Sequence, residues 1–182
     1  MKSKITSCVI IISFFLFINY NVVGQSNDLQ DTTRINLIKA AKEIMNAATY
    51  CALITLDEEG RPRVRVMDPF KPEGDLIVWF GTNPNSRKVA QIKNDPRVTL
   101  YYLDNDASGY VMIHGKAHLV DDPTEKENRW KDGWDDFYPN KPKGYLLIKV
   151  IPEWMEILST SRGLLGDKIT WQPPMVLWNP KE

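Results

Sequence analysis

From residue 50 to residue 158 the sequence is a succession of short apolar runs, each closed by turn-forming residues. Residues 50–56 read as a buried strand, and Asp57-Glu58-Glu59-Gly60 as its turn. Residues 62–67 alternate arginine with valine, which gives one apolar face and one face carrying Arg63 and Arg65. Further strands are predicted at 75–82, 97–103, 109–120 with a bend near Gly115, and 145–158 with a bend at Pro152. Helical spacing occurs at 32–48, where Ile35, Ile38, Ala41, Met45 and Ala48 share one face. It recurs at 83–94, where Val89, Ala90 and Ile92 form a buried stripe that Asp95-Pro96 ends. Asp122-Pro123 opens a short acidic helix, residues 130–140 are aromatic and irregular, and the chain after Ser159 is rich in Gly, Pro and Trp. Five or six short strands with a few short helices predict a mainly β fold, a small antiparallel barrel or Greek-key sheet of about six strands.

The first residues bear on location. Lys2 and Lys4 precede an apolar run over residues 9–18, and Val22 and Gly24 stand at the −3 and −1 positions of a cleavage site. That pattern reads as a signal peptide over residues 1–24, which implies an exported protein, periplasmic or extracellular, free of the membrane after cleavage. The run is short for a span of ~20 residues, although an uncleaved anchor is the alternative. Residues 25–31 are polar and read as a loose leader, 32–158 as the domain, and 159–182 as a C-terminal extension. Cleavage after Gly24 would leave about 158 residues, the size of one ordinary domain. The 23 basic and 23 acidic side chains balance over the whole chain, and residues 1–24 hold two lysines and no acid. The remainder is slightly acidic, which gives no reason to expect nucleic acid as a partner. Only Cys51 lies beyond the signal segment, so no internal disulfide forms, and a packed core has to supply the stability.

Phe80-Gly81-Thr82-Asn83-Pro84-Asn85-Ser86-Arg87-Lys88 is the most informative stretch. A strand ends, a turn comes next, and a helix begins with a hydroxyl, a guanidinium and an ammonium group. Helix N-termini present free N–H groups and the positive end of a dipole, so phosphate binds there readily. The plainer reading is that Asn85 or Ser86 caps a surface helix whose cations are solvated. Arg63 and Arg65 offer a second source of positive charge, and spacing alone leaves open whether the two sources converge.

Gly60-Arg61-Pro62-Arg63-Val64-Arg65-Val66-Met67, then Leu76 to Asn83, Ser86-Arg87-Lys88, Asn94-Asp95-Pro96-Arg97-Val98 and Leu100-Tyr101-Tyr102 succeed one another in an order that resembles the pyridoxamine 5′-phosphate oxidase superfamily. The resemblance is to its general-stress-protein branch of FMN-binding split barrels. It implies a six-stranded split barrel that forms a homodimer, with FMN in a cleft between the subunits. Arg65 and Ser86-Arg87-Lys88 would hold the phosphate. Arg63, Val64, Val66 and Met67 would lie along the ribityl chain and ring, with Thr82 nearby. Trp154 or Trp171 of the partner subunit would close the cleft.

The departures matter too. Tyr110 stands where oxidases of the family place a glutamine against the flavin, and Leu164-Leu165-Gly166-Asp167-Lys168 falls on their substrate motif without its first arginine and its histidine. Oxidation of pyridoxamine phosphate itself is therefore not expected. His114 and His118, four apart on a strand, sit about 13 Å apart on one face, so no shared metal site is predicted. Asp121-Asp122 and Asp135-Asp136 read as solvated turn residues, and no side chain is required as an acid or base. The chain reads first as an FMN-dependent oxidoreductase of a small molecule, then as a non-catalytic binder of flavin or haem, and third as an interaction module without ligand. Deazaflavin and haem are the alternatives to FMN.

Overall fold

The computed structural model describes residues 20–140 and 143–178, with side chains from Thr33 onward. Most of the expected signal peptide, residues 1–19, lies outside the described residues. Helix α1 runs Tyr20–Ala47 and includes residues 25–31, where the sequence predicts a loose segment; no proline or glycine interrupts that stretch. The described residues from Asn36 onward form one compact unit, and it holds every other element.

That unit is built on antiparallel strands: β1 Cys51–Leu56, β2 Pro62–Met67, β3 Val78–Thr82, β4 Arg97–Leu103, β5 Gly109–Val120, β6 Leu146–Ser159 and β7 Met175–Leu177. Two short helices, α2 Arg87–Asn94 and α3 Pro123–Asn128, and a 3-10 turn at Trp134–Asp136 interrupt them. The order across the sheet is β2-β1-β4-β5-β6-β3, with β7 added to β6. Among the described residues no ladder joins β2 to β3, so the barrel is split along that seam.

The predicted strands 62–67, 97–103 and 109–120 form with those limits. Strand β3 is shorter than 75–82 because Leu76 adopts a left-handed φ of 66° inside a tight turn closed by Glu73 and Ile77. The bend in β5 is a bulge between His114 and Gly115. There a Cβ on Gly115 would lie 2.2 Å from the Ile151 carbonyl oxygen, so only glycine lets β6 approach. The extension after Ser159 returns to the sheet as β7, which pairs Val176 with Met155.

One face of the sheet is dry. Leu53, Leu100, Tyr102, Val111, Ile113, Met155 and Ile157 pack against Leu37, Ala41, Ile44 and Met45 of α1. The two-residue period on the strands is what the sequence shows. On the helix the buried stripe is Leu37, Ala41, Ile44 and Met45, continued by Ala48, so Ile35, expected on it, is exposed and Ile38 lies at its margin. A smaller aromatic cluster joins Trp79, Trp134, Tyr145 and Leu147, with Phe70, Trp130 and Tyr138 against it. Its rings meet edge-on, as Trp134 does with Phe70 at 5.6 Å and Tyr138 at 5.3 Å.

Candidate functional site

The split seam brings β2, the end of β3 and the start of α2 together around Arg65, Arg87 and Lys88. Arg65 lies on the inward face of β2, half-buried, with Leu53 opposite it on β1. Its two terminal nitrogens donate to Thr55 Oγ1 at 2.7 Å and to Gln91 Oε1 at 2.9 Å. Thr55 donates in turn to Gln91 Oε1 at 2.6 Å, which closes a ring of three hydrogen bonds. Lys88 donates to Thr82 Oγ1 at 3.0 Å, and the Ser86 hydroxyl lies 3.2 Å from the same oxygen. Ser86 is the N-cap of α2 by backbone position, yet its side chain makes no capping bond. The backbone N–H groups of Arg87 and Lys88 have no partner among the described residues.

Charge sets this place apart. Asp57 holds Arg61 and Arg63, Asp95 holds Arg97, and Glu73 and Glu125 hold Arg129. Among the described residues no carboxylate forms an ion pair with Arg65, Arg87 or Lys88. Desolvation and then the Arg87 guanidinium lower the basicity of Arg65; desolvation and then Arg65 lower that of Lys88. Half-buried Arg65 and Lys88 and exposed Arg87 stand beside hydroxyls and free N–H groups, with no carboxylate paired to them among the described residues. An anion with several oxygens is the ligand such a donor set fits.

The other residues singled out from the sequence are distributed differently. Arg63 shares its face with Arg65, but its guanidinium is drawn back to Asp57 at 2.7 Å across the β1–β2 turn. Desolvation of Asp57 opposes its charge, and the donors from Arg61 and Arg63 overbalance it, holding the carboxyl well below the usual range. Met67 packs on the core, whereas Val64 and Val66 point to the opposite face and are 65% and 71% exposed. Thr82 is buried and acts on Lys88 and Ser86 rather than on solvent. Thr55 and Gln91 escape a reading of the sequence alone. Their signals are a polar residue at an inward position of an apolar strand, and an amide one helical turn beyond Arg87 and Lys88.

The outward face of the sheet is open and mixes apolar with polar side chains. Strand register aligns Val66, Ala52, Tyr101, Met112, Glu156 and Met175 in one row and Val64, Ile54, Thr99, His114, Trp154 and Leu177 in the next. Tyr101 stacks on Tyr110 at 5.2 Å, and His114 lies against Trp154 at 4.3 Å while its Nδ1 meets Thr99 Oγ1 at 2.9 Å. A cleft of about 320 Å³ opens where β1 and β4 part, lined by Ile54, Thr55, Arg97, Thr99, His114 and Trp154. Thr55 is common to this cleft and to the cationic pocket.

Residues 37–159, which carry the sheet through β6 and the cationic pocket, match the pyridoxamine 5′-phosphate oxidase family. The chain belongs to that family. Its pyridoxine/pyridoxamine 5′-phosphate oxidase relative from Escherichia coli K12 is 33% identical over 84 residues, 46% of this chain and 38% of the enzyme. The chain thus matches well under half the length of the curated relatives. General stress protein 26 of Bacillus anthracis superposes with a TM-score of 0.62 at 21% identity, covering 79% of this chain and 99% of that one. An FMN-binding protein related to pyridoxamine 5′-phosphate oxidase, from Nostoc punctiforme, superposes at 0.56 and 19% identity over 80% and 95% of the two chains. At these identities the likeness is one of fold, and the fold is the split barrel.

Within this oxidase-family fold, the segment 164–168 is spent on local structure. Leu164 packs on the core and pairs with Ser159. The Asp167 carboxylate accepts from the N–H of Ile169 and Thr170 and from the Thr170 hydroxyl, so it caps its own turn.

Proposed function

We propose that the protein binds FMN, with the phosphate held by Arg65, Ser86, Arg87 and Lys88, and that it acts as a flavin-dependent oxidoreductase on a small molecule. The observation that carries this reading is that Arg65, Arg87 and Lys88, on adjoining elements, have no carboxylate paired to them among the described residues. Arg65 and Lys88, whose basicity desolvation and then a neighbouring cation lower, recover it when a phosphate dianion arrives. The free N–H groups at the start of α2 and the Ser86 hydroxyl add neutral donors. The flavin, when bound, supplies the electron transfer, and the protein's part is to bind, orient and shield it.

Subunit pairing belongs to the same proposal. Val64 and Val66, exposed on the edge strand, adjoin the Tyr101–Tyr110 pair and Met112, an apolar face that a second copy would cover in a homodimer. The ring of the flavin would lie near that face. Export ahead of cofactor loading rests on residues 1–24 alone.

A second reading, a flavin or haem binder without turnover, is favoured by residues 164–168. Asp167 is committed to its own turn, so the segment offers no free carboxylate to a substrate. Binding without reaction toward NADH, NADPH or small oxidants would select this reading.

The test is flavin titration of the full chain and of Arg87→Ala/Lys88→Ala. Two charge-assisted hydrogen bonds, each of about 1.5–3 kcal/mol, are removed, so FMN affinity falls by about two to four orders of magnitude. The fold stays intact, because Arg87 and Lys88 are in no ion pair among the described residues. Unchanged FMN affinity in the double variant refutes the assignment.

A further inference from the structure

Arg65 is held by neutral acceptors, and that detail has a function. A guanidinium beside other cations is pushed toward solvent, and an arginine free to rotate loses side-chain entropy when fixed. Most of the other arginines in the domain are restrained by a carboxylate: Arg61 and Arg63 by Asp57, Arg97 by Asp95, Arg162 by Asp104 and Glu43. Arg65 instead donates to Thr55 Oγ1 and Gln91 Oε1, and Thr55 donates to that same oxygen. The orientation of the Gln91 amide is set by this ring, since both neighbours donate to it and only its oxygen accepts. Thr55 is fully buried, and Gln91 is anchored on α2 one turn after Arg87.

We infer that Thr55 and Gln91 are positioning residues that fix the Arg65 guanidinium while leaving its charge uncompensated, and that they thereby set the preference for a phosphorylated flavin over riboflavin. The inference rests on the phosphate site proposed above. A glutamate at position 91 would orient Arg65 equally well but cancel the charge that the phosphate has to meet. A valine at position 55 would keep the shape and remove both the acceptor for Arg65 and the donor to Gln91. Neither residue needs to touch the ligand. Their effect is confined to the phosphate end, which riboflavin lacks.

The experiment measures dissociation constants for FMN and for riboflavin, by flavin fluorescence, in the full chain and in Gln91→Glu, Gln91→Met, Thr55→Val and Thr55→Ser. The expected result is a fall of about tenfold or more in FMN affinity for Glu, Met and Val, the scale of one charge-assisted hydrogen bond, with riboflavin affinity unmoved. Thr55→Ser, which keeps the hydroxyl, retains the original preference. Gln91 lies on a half-buried helix face, so Gln91→Glu keeps the test open should the buried Thr55→Val variant fail to fold. Equal losses for FMN and riboflavin would mean a merely structural role and overturn the inference. So would an unchanged FMN-to-riboflavin ratio in Gln91→Glu. An unaltered protein with no preference for FMN over riboflavin fails at the earlier step and removes the phosphate site itself.

Discussion

Gly81→Ala probes how the aromatic cluster supports the proposed phosphate site. A Cβ on Gly81 would lie 2.3 Å from Trp134 Cη2 and 2.6 Å from Cζ3, where ordinary carbon contacts begin at about 3.4 Å. Relief needs a movement of about 1 Å. Trp134 has little room to provide it, since its ring is boxed by Phe70, Trp130, Tyr138 and Tyr145 at centroid distances of 5.3–5.8 Å. The strand has to yield instead, and the next residue along it is Thr82, which anchors Lys88 and Ser86. Overpacking of this kind costs about 1–3 kcal/mol, which for a chain of this length lowers Tm by roughly 2–12 °C. Near-ultraviolet circular dichroism during thermal unfolding reports both the Tm and the packing of the tryptophans. FMN affinity is expected to fall with it, because the pocket is displaced. Trp134→Leu supplies the control: in that background the added methyl has space, and Gly81→Ala becomes nearly neutral. A wild-type Tm for the single variant, or equal losses in the two backgrounds, would refute the steric argument.

The titrating groups supply the remaining predictions. Affinity for FMN rises with pH through about 6, where the phosphate takes its second charge, and is then level. It declines again on the alkaline side as the free protein loses the Lys88 proton, whose affinity desolvation and Arg65 have lowered. Stability without ligand moves the other way there: the unfolded chain holds that proton to higher pH than the folded one, so stability rises with pH through the same window. Isothermal titration and denaturant unfolding across the alkaline range check the opposed slopes, and Lys88→Met is expected to abolish both. Cys51 is buried and its thiol is pushed up to about 12 by that burial. Both the burial and the suppressed thiolate keep a disulfide reagent from the native protein, so labelling is expected to need unfolding around Cys51. Fast stoichiometric labelling of the native protein would contradict the buried placement.

The sheet is legible in the sequence because alternation is a local property. Val64 and Val66 against Arg63 and Arg65 define two faces of β2 whatever the rest of the chain does, and the same holds for β4 and β5. Strand β3 reads three residues too long because Leu76 and Ile77 are apolar, while the left-handed turn at Leu76 is fixed by a bridge between Glu73 and Ile77 that the pattern does not encode. The return of β7 to β6 escapes the pattern for a related reason: three residues are too few for any period to show.

The pocket is legible only in part, and the division tracks the range of the forces involved. Ser86, Arg87 and Lys88 announce themselves by adjacency at a helix start. Arg63 and Arg65 share a face, and neither spacing nor composition distinguishes them. What separates them is Asp57, which lies across the β1–β2 turn from Arg63 and draws its guanidinium to the hairpin end. With Asp57 already holding Arg61 and Arg63, the charge left over is that of Arg65. The orientation of that charge is held by Thr55 and Gln91, 36 residues apart in sequence and 2.6 Å apart in space. A pairing across two elements leaves no trace in either one alone except a polar residue where an apolar one was due. The inward threonine of β1 is that trace, since a hydroxyl with no exposure needs a partner and its strand neighbours supply none.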